Sequence, residues 1–126
     1  MGIFDFLKGK KEKEGLCQYY HKNGQLLLEE IWRDGKREGL LKSYHENSQL
    51  KSEGNFKDNK KEGLWKWYFK NGQLKYEGNF KDGKQKGLWK WYFENGQLQE
   101  ESNWENGDPQ SKKCWDEEGN KIECEE

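Results

Sequence analysis

Glycine followed by leucine recurs in this chain at one fixed interval: Gly15-Leu16, Gly39-Leu40, Gly63-Leu64 and Gly87-Leu88 stand 24 residues apart. A period of that length marks a repeat architecture, in which one supersecondary unit is copied and each copy supplies the neighbour that the previous one lacks. The third and fourth copies, Gly63-Leu64-Trp65-Lys66-Trp67-Tyr68-Phe69 and Gly87-Leu88-Trp89-Lys90-Trp91-Tyr92-Phe93, are nearly identical, and the first two keep the frame with Tyr20 and Tyr44. Each copy continues through Asn23-Gly24-Gln25-Leu26, Asn47-Ser48-Gln49-Leu50, Asn71-Gly72-Gln73-Leu74 or Asn95-Gly96-Gln97-Leu98. A glutamate follows three residues later (Glu29, Glu53, Glu77, Glu101) and an aromatic residue three beyond that (Trp32, Phe56, Phe80, Trp104). The frame divides the chain into a leading cap or tail at 1–14, four hairpin repeats at 15–38, 39–62, 63–86 and 87–110, and a degenerate fifth repeat with an acidic cap at 111–126.

Each unit reads as two strands joined by two turns. Asn-Gly is the strongest short hairpin signal, because both central residues of a type I′ turn need positive φ. The second turn repeats that chemistry at Asp34-Gly35, Asp58-Asn59, Asp82-Gly83 and Asn106-Gly107. Segments such as Leu64 to Phe69 and Gln73 to Phe80 are short, aromatic and free of proline, as strands are. Helix is excluded by a Gly or Asn every dozen residues and by the lack of an apolar stripe of period 3.6. The fold class expected is therefore all-β, an elongated single-layer antiparallel sheet of tandem hairpins with about eight strands in 15–110, edged by a short N-terminal helix carrying Ile3, Phe4, Phe6 and Leu7.

With Asn71-Gly72 and Asp82-Gly83 as the central residues of their turns, Trp67 faces Tyr76, Trp65 lies over Gly78, Lys66 faces Glu77 and Gly78 faces Gly87. That register gathers Trp65, Trp67, Phe69, Tyr76, Trp89, Trp91 and Phe93 on one face, the candidate partner-binding surface, with Leu74, Phe80 and Leu98 beside them. The other face keeps Leu64, Tyr68, Leu88 and Tyr92 among charged residues. Some repeated positions advance in threes instead of twos, which a bulge would explain.

Composition decides whether so polar a chain folds at all. Hydrophobic residues are 30% and charged residues 37%, near the range of disordered chains, but 15% are aromatic, far more large apolar surface than a disordered segment carries. The core is expected to be thin. Charge is unevenly spread: nine lysines face three acids between Lys60 and Lys90, and eleven acids face three lysines between Glu94 and Glu126. This asymmetry reads first as solvated sheet faces that keep a thin protein soluble; edge pairing, burial of the aromatic face and attraction between the two stretches are the routes to a weak homodimer.

Catalysis lacks a nucleus. There is no threonine, no glycine-rich phosphate loop and no His placed with a nucleophile and an orienting acid, so no catalytic residue and no cofactor is assigned. His21 and His45 share a repeat position with Phe69 and Phe93, which makes them side chains of the frame, not metal ligands, and no metal site is assigned. Cys114 and Cys124 flank the last turn, across from each other or one register off, and are expected to be free thiols in a reducing cytosol, with a cross-strand disulfide only after oxidation. Tryptophans interleaved with Lys66 and Lys90 fit a single-stranded nucleic acid in principle, but the acidic C-terminal third and the cross-strand partners of those rings argue against it.

The pattern G-x-W-x-x-Y-x-x-N-G-x-L-x-x-E-x-x-F, read at Gly63, Trp65, Tyr68, Asn71, Gly72, Leu74, Glu77 and Phe80 and again at Gly87 to Trp104, resembles the bacterial variant of the MORN repeat. The resemblance covers residues 15 to about 124 and is loosest where Cys17 and Leu41 replace the first tryptophan. It implies an elongated sheet of hairpins, no enzymatic activity and a role in protein or membrane association. Chains built only of this variant are commonly placed in an antitoxin family of toxin-antitoxin systems. The function expected is thus a non-enzymatic protein-binding module, in its most specific form an antitoxin or immunity-type inhibitor that covers a cognate toxin. The alternatives are a self-assembling scaffold and a membrane-surface adaptor anchored by Phe4, Phe6 and Leu7 with Lys8, Lys10, Lys11 and Lys13. No stretch has the length of a membrane span or the form of a secretory signal, and the expected location is cytoplasmic.

Overall fold

The computed structural model describes residues 13–125, and all regular structure among them is β. The strands are β1 (Gly15–Tyr20), β2 (Leu26–Arg33), β3 (Lys36–Arg37), β4 (Gly39–Tyr44), β5 (Leu50–Lys57), β6 (Lys60–Tyr68), β7 (Leu74–Lys81), β8 (Lys84–Tyr92), β9 (Leu98–Glu105), β10 (Asp108–Trp115) and β11 (Lys121–Ile122). They form one open antiparallel sheet in the order β1-β2-β4-β5-β6-β7-β8-β9-β10-β11, with β3 also on β2. β3 and β4 are two parts of one crossing: Glu38, between them, still donates its N–H to Ile31 O at 2.9 Å. Every hairpin therefore pairs with its sequence neighbours, and the chain is a meander without crossovers. The expected helix residues Ile3, Phe4, Phe6 and Leu7 and the anchor lysines Lys8, Lys10 and Lys11 lie outside the described residues.

The two turns of a repeat differ. At Asp34-Gly35, Asp58-Asn59, Asp82-Gly83 and Asn106-Gly107 both central residues have positive φ (for example 51° and 82° at Asp82 and Gly83), the type I′ geometry expected. The Asn-Gly turns correct the expectation. Gly72 takes φ 91° but Asn71 stays outside the positive region, Gly72 N donates to Phe69 O at 2.9 Å, and Phe69 N donates to Gln73 O at 2.8 Å. This is a three-residue loop, Lys70-Asn71-Gly72, ending in a left-handed residue, and it shifts the ladder by one between Trp67 and Tyr68. The asparagine is used for its side chain. Asn71 Oδ1 accepts from Gln73 N at 2.9 Å, while its Nδ2 donates to Glu94 O of the next repeat at 3.4 Å, and Asn23, Asn47 and Asn95 do the same. In the second copy Ser48 stands in the left-handed position at φ 74°.

Both ends of each hairpin are tied to the next. At the type I′ end, Asp34 N, Asp58 N and Asp82 N donate to the carboxylates of Glu14, Glu38 and Glu62, twenty residues back, at 3.0 to 3.1 Å. These ties hold a sheet that has almost no interior.

Away from the turns, Trp65 pairs with Gly78, Lys66 with Glu77 and Trp67 with Tyr76, as the register predicts. Gly78 does not face Gly87. The β7–β8 ladder runs from Asn79↔Lys86 directly to Glu77↔Lys90, so Gly87, Leu88 and Trp89 together stand opposite Gly78. Gly87 has φ +76°, and Gly63 and Gly39 repeat it at +77° and +98°. The recurring glycine is therefore a bulge residue, placed where an L side chain would be strained. The bulge carries the next tryptophan over the strand before it. A Cβ on Gly78 would overlap the ring of Trp89, and one on Gly54 the ring of Trp65. The ring above Gly78 is thus that of Trp89 and not that of Trp65, which was expected there.

Trp65 and Trp89, each 2% exposed, are the buried hydrophobic residues among the described residues, so the core there is as thin as the composition predicts. Cys114 and Cys124 form a disulfide across the β10–β11 hairpin, against the expectation of free thiols: Cys114 pairs with Ile122, and Cys124, two residues further on, reaches it diagonally with the Cα atoms 5.2 Å apart. In a sheet with near one-dimensional coupling, reduction is expected to loosen only this end. The local loss should be about 2 to 3 kcal/mol, read as faster amide exchange at Lys121 and Ile122 with β5 to β8 unchanged. Faster exchange throughout the sheet would contradict nearest-neighbour coupling.

Candidate functional site

The aromatic face is a continuous chain of ring contacts. Trp67 stacks on Tyr76 at 4.5 Å, Tyr76 on Trp91 at 6.0 Å, and Phe80 meets Trp89 edge-on at 5.1 Å, while Phe56 meets Trp65 in the same way at 5.3 Å. Trp67 bridges the two buried indoles, 5.7 Å from Trp65 and 6.1 Å from Trp89. Of the expected site residues, Trp65, Trp67, Tyr76, Trp89 and Trp91 are brought together here. Trp67, Tyr76 and Trp91 remain partly exposed, while Trp65 and Trp89 are closed over and donate their indole N–H groups to Asn55 O and Asn79 O at 2.9 and 3.1 Å. Phe69 and Phe93 lie at the turn ends of the same strands; Phe69 carries the Lys75 ammonium 5.5 Å from its ring.

Cations cover the first half of this face. Lys13 Nζ lies 5.2 and 5.3 Å from the rings of Tyr19 and Trp32, Arg37 5.0 and 5.5 Å from Trp32 and Phe56, and Lys61 5.1, 5.5 and 5.2 Å from Trp65, Trp67 and Phe80. Three cations spaced 24 residues apart thus sit on aromatic faces, an arrangement the ring quadrupole favours. Burial among the rings holds the Lys61 ammonium below its ordinary pKa.

Beside the second of these cations, Arg37, lies Glu30, 2% exposed, a residue not singled out from the sequence. It stands where later repeats have Gly54, Gly78 and Ser102. Its carboxylate accepts from Trp32 Nε1 at 2.8 Å, Arg37 Nε at 2.8 Å and Tyr19 Oη at 2.9 Å. Burial raises its pKa most strongly as a single influence, but the donors of Trp32, Arg37 and Tyr19 together outweigh it and the carboxyl titrates below its usual range. A depressed folded-state pKa means that the carboxylate stabilises the fold above the unfolded value of about 4.3, and that this contribution is lost as pH falls through the lower folded value. Glu30→Gln is expected to cost about 1 to 2 kcal/mol at pH 7 and to converge with the parent chain only as pH falls through the folded value, which lies below the unfolded value of about 4.3. A constant difference from pH 7 to 3 in thermal unfolding would contradict this. The signal in the sequence was a charged residue at a position that elsewhere holds glycine or serine.

The reverse face carries a second feature. Leu16, Leu40, Leu64 and Leu88, the residue after each repeated glycine, are 61, 42, 48 and 45% exposed, a row of leucines turned to solvent. Tyr68 and Tyr92 lie on this side and donate to Glu53 and Glu77 at 3.2 and 3.3 Å. His21 and His45 each donate through Nε2 to the next repeat's Tyr44 O and Tyr68 O at 2.9 Å, which makes them ties between hairpins. Among the described residues no group of three or more metal-ligating side chains is assembled.

No curated protein matches the chain. Among solved structures it is similar to a variant of S. aureus TarM crystallised with fondaparinux, alpha-GlcNAc-glycerol and UDP, at 13% identity over 79% of this chain and 20% of that one with a TM-score of 0.46. A second TarM structure matches at 12% identity over 77% of this chain and 20% of that one, TM-score 0.44. The chain spans about a fifth of the length of either, 20% in both comparisons. The family described as MORN repeat variant matches residues 13–34, 37–58, 61–82 and 85–106, windows that open two residues ahead of the glycine frame. Repeats of this kind are non-catalytic modules that generally mediate protein or membrane interactions. Four matched repeats over more than half of its length place this chain in the MORN repeat variant family.

Proposed function

We propose that the chain is a protein-binding module that works through its aromatic face. The observation that carries this reading is the row of half-exposed rings, Trp67, Tyr76 and Trp91, supported from beneath by the buried Trp65 and Trp89. Rigid aromatic side chains fixed in a stack contribute contact area at low entropic cost, and such residues dominate binding hot spots. The narrowest form of the proposal is an antitoxin or immunity-type inhibitor that covers a toxic partner in the cytoplasm, supported by the resemblance of the repeat frame alone. Affinity capture from native lysate at low salt tests the general reading: a partner recovered in stoichiometric amount is expected, and nothing above background would contradict it. Co-expression with the product of a neighbouring gene tests the narrower one, since an inhibitor must restore growth that its partner arrests.

A further inference from the structure

The cation ladder on the aromatic face stops before the rings do. Twenty-four and forty-eight residues after Lys61 stand Gln85 and Pro109, neither of them charged. The last position repeats the surroundings of the second cation closely. Trp32 pairs with Arg37 across β2 and β3, and Trp104 pairs with Pro109 across β9 and β10. Both tryptophans turn the indole N–H onto the side chain two residues earlier, Trp32 onto Glu30 and Trp104 onto Ser102, at 2.8 Å in each case. At the first site Arg37 fills the space above the indole. At the second there is an open groove of about 350 Å³, lined by Trp91, Glu100, Ser102, Trp104, Pro109 and Lys112 among others.

Glu100 makes the groove electrostatically different from a bare apolar hollow. It is paired with Trp91 on one side and Cys114 on the other, two residues from Ser102 on the same face of β9. The ion pair formed among the described residues is Arg37–Glu30, so Glu100 has no cationic partner among them, Lys112 included. It also borders the adjoining hollow of about 410 Å³, whose walls bring in Asp116, Glu117, Glu123 and Glu125. An indole face, a half-buried carboxylate and an acidic surround are the recognition elements of a guanidinium, and Glu30, Trp32 and Arg37 show the same chemistry satisfied within the chain.

We propose that this groove is an arginine socket, in which a basic side chain of a protein partner stacks on Trp104 and pairs with Glu100. The proposal rests on the protein-binding reading and names the part of the partner that the aromatic face takes.

The test uses a capped peptide, acetyl-Gly-Arg-Gly-Arg-Gly-amide, and its twin with citrulline in place of arginine, a neutral side chain of the same shape. Binding to the full chain is followed through the indole N–H resonances. The arginine peptide is expected to shift the signals of Trp91 and Trp104 and to bind at least about fivefold more tightly than the citrulline peptide. Pro109→Arg copies Arg37 and should occupy the socket from within, and Glu100→Gln removes the counter-ion. Each is expected to weaken binding by at least about fivefold with the unfolding midpoint kept. Equal binding of the two peptides overturns the proposal. So does arginine binding that neither variant reduces, since that is general attraction to the acidic end. Should Pro109→Arg disturb β10, Glu100→Gln carries the test alone. The two readings separate in the capture assay. A partner held equally by the parent chain and by Pro109→Arg removes the socket and leaves the binding module, whereas no partner for any chain removes the module reading, and the peptide result stands by itself.

Discussion

Replacing Trp89 with alanine should lower the unfolding free energy by about 3 to 5 kcal/mol. The side chain is 2% exposed and its indole N–H reaches Asn79 O at 3.1 Å. Its ring meets Phe80 edge-on at 5.1 Å and lies 6.0 to 6.4 Å from Trp67, Tyr76 and Trp91. Truncation leaves a void above Gly78 that a single-layer sheet cannot close from the other side. Because Trp89 belongs to the fourth repeat and covers a glycine of the third, its loss strikes the coupling between them, and the cooperative transition in urea is expected to broaden or divide. Leu88→Ala, one residue away but 45% exposed, should cost under about 1 kcal/mol. Similar losses for the two would show that the ring is not what joins the repeats.

Gly78→Ala is the complementary experiment, with a predicted cost of about 1 to 3 kcal/mol. A methyl group there overlaps the Trp89 ring, and the backbone at Gly78 is not in the left-handed region, so the penalty is purely one of contact. It should therefore depend on the tryptophan. In a Trp89→Leu background the alanine is expected to be tolerated, giving a coupling energy of about 1 to 2 kcal/mol between two residues 11 positions apart in sequence. Equal penalties in both backgrounds would place the strain elsewhere.

These two positions also mark how far the sequence could be read. The 24-residue period, the strand content and the Lys66↔Glu77 and Trp67↔Tyr76 pairs were legible, because alternation and turn chemistry act locally. The Asp-Gly turns were legible too, since both residues take positive φ. Asn71-Gly72 misleads, because the same dipeptide serves a longer loop once the asparagine side chain bonds Gln73 N and reaches the next hairpin at Glu94 O. The bulge at Gly87 was foreseen in kind but not in place, and with it the sequence hides which ring covers which glycine. Core and platform residues could not be separated at all beforehand: Trp89 and Trp91 have the same local sequence, and only the neighbouring repeat makes one buried and the other accessible. Glu30 was missed for a related reason, since Tyr19 and Arg37 reach it from other strands, and the Cys114–Cys124 bond was legible only as a product of oxidation because its formation depends on redox conditions as well as on geometry.

Oxidative footprinting of the captured complex, compared with the free chain, tests the proposed function most directly. In the free chain Trp65 and Trp89 should resist labelling. Partner binding should then protect Trp67, Tyr76, Trp91 and Trp104 while Tyr68 and Tyr92, beside the solvent-facing leucine row, keep their reactivity. Protection confined to Tyr68, Tyr92, Leu64 and Leu88 would show that the partner sits on the reverse face, and the aromatic face would then be only the core of the sheet.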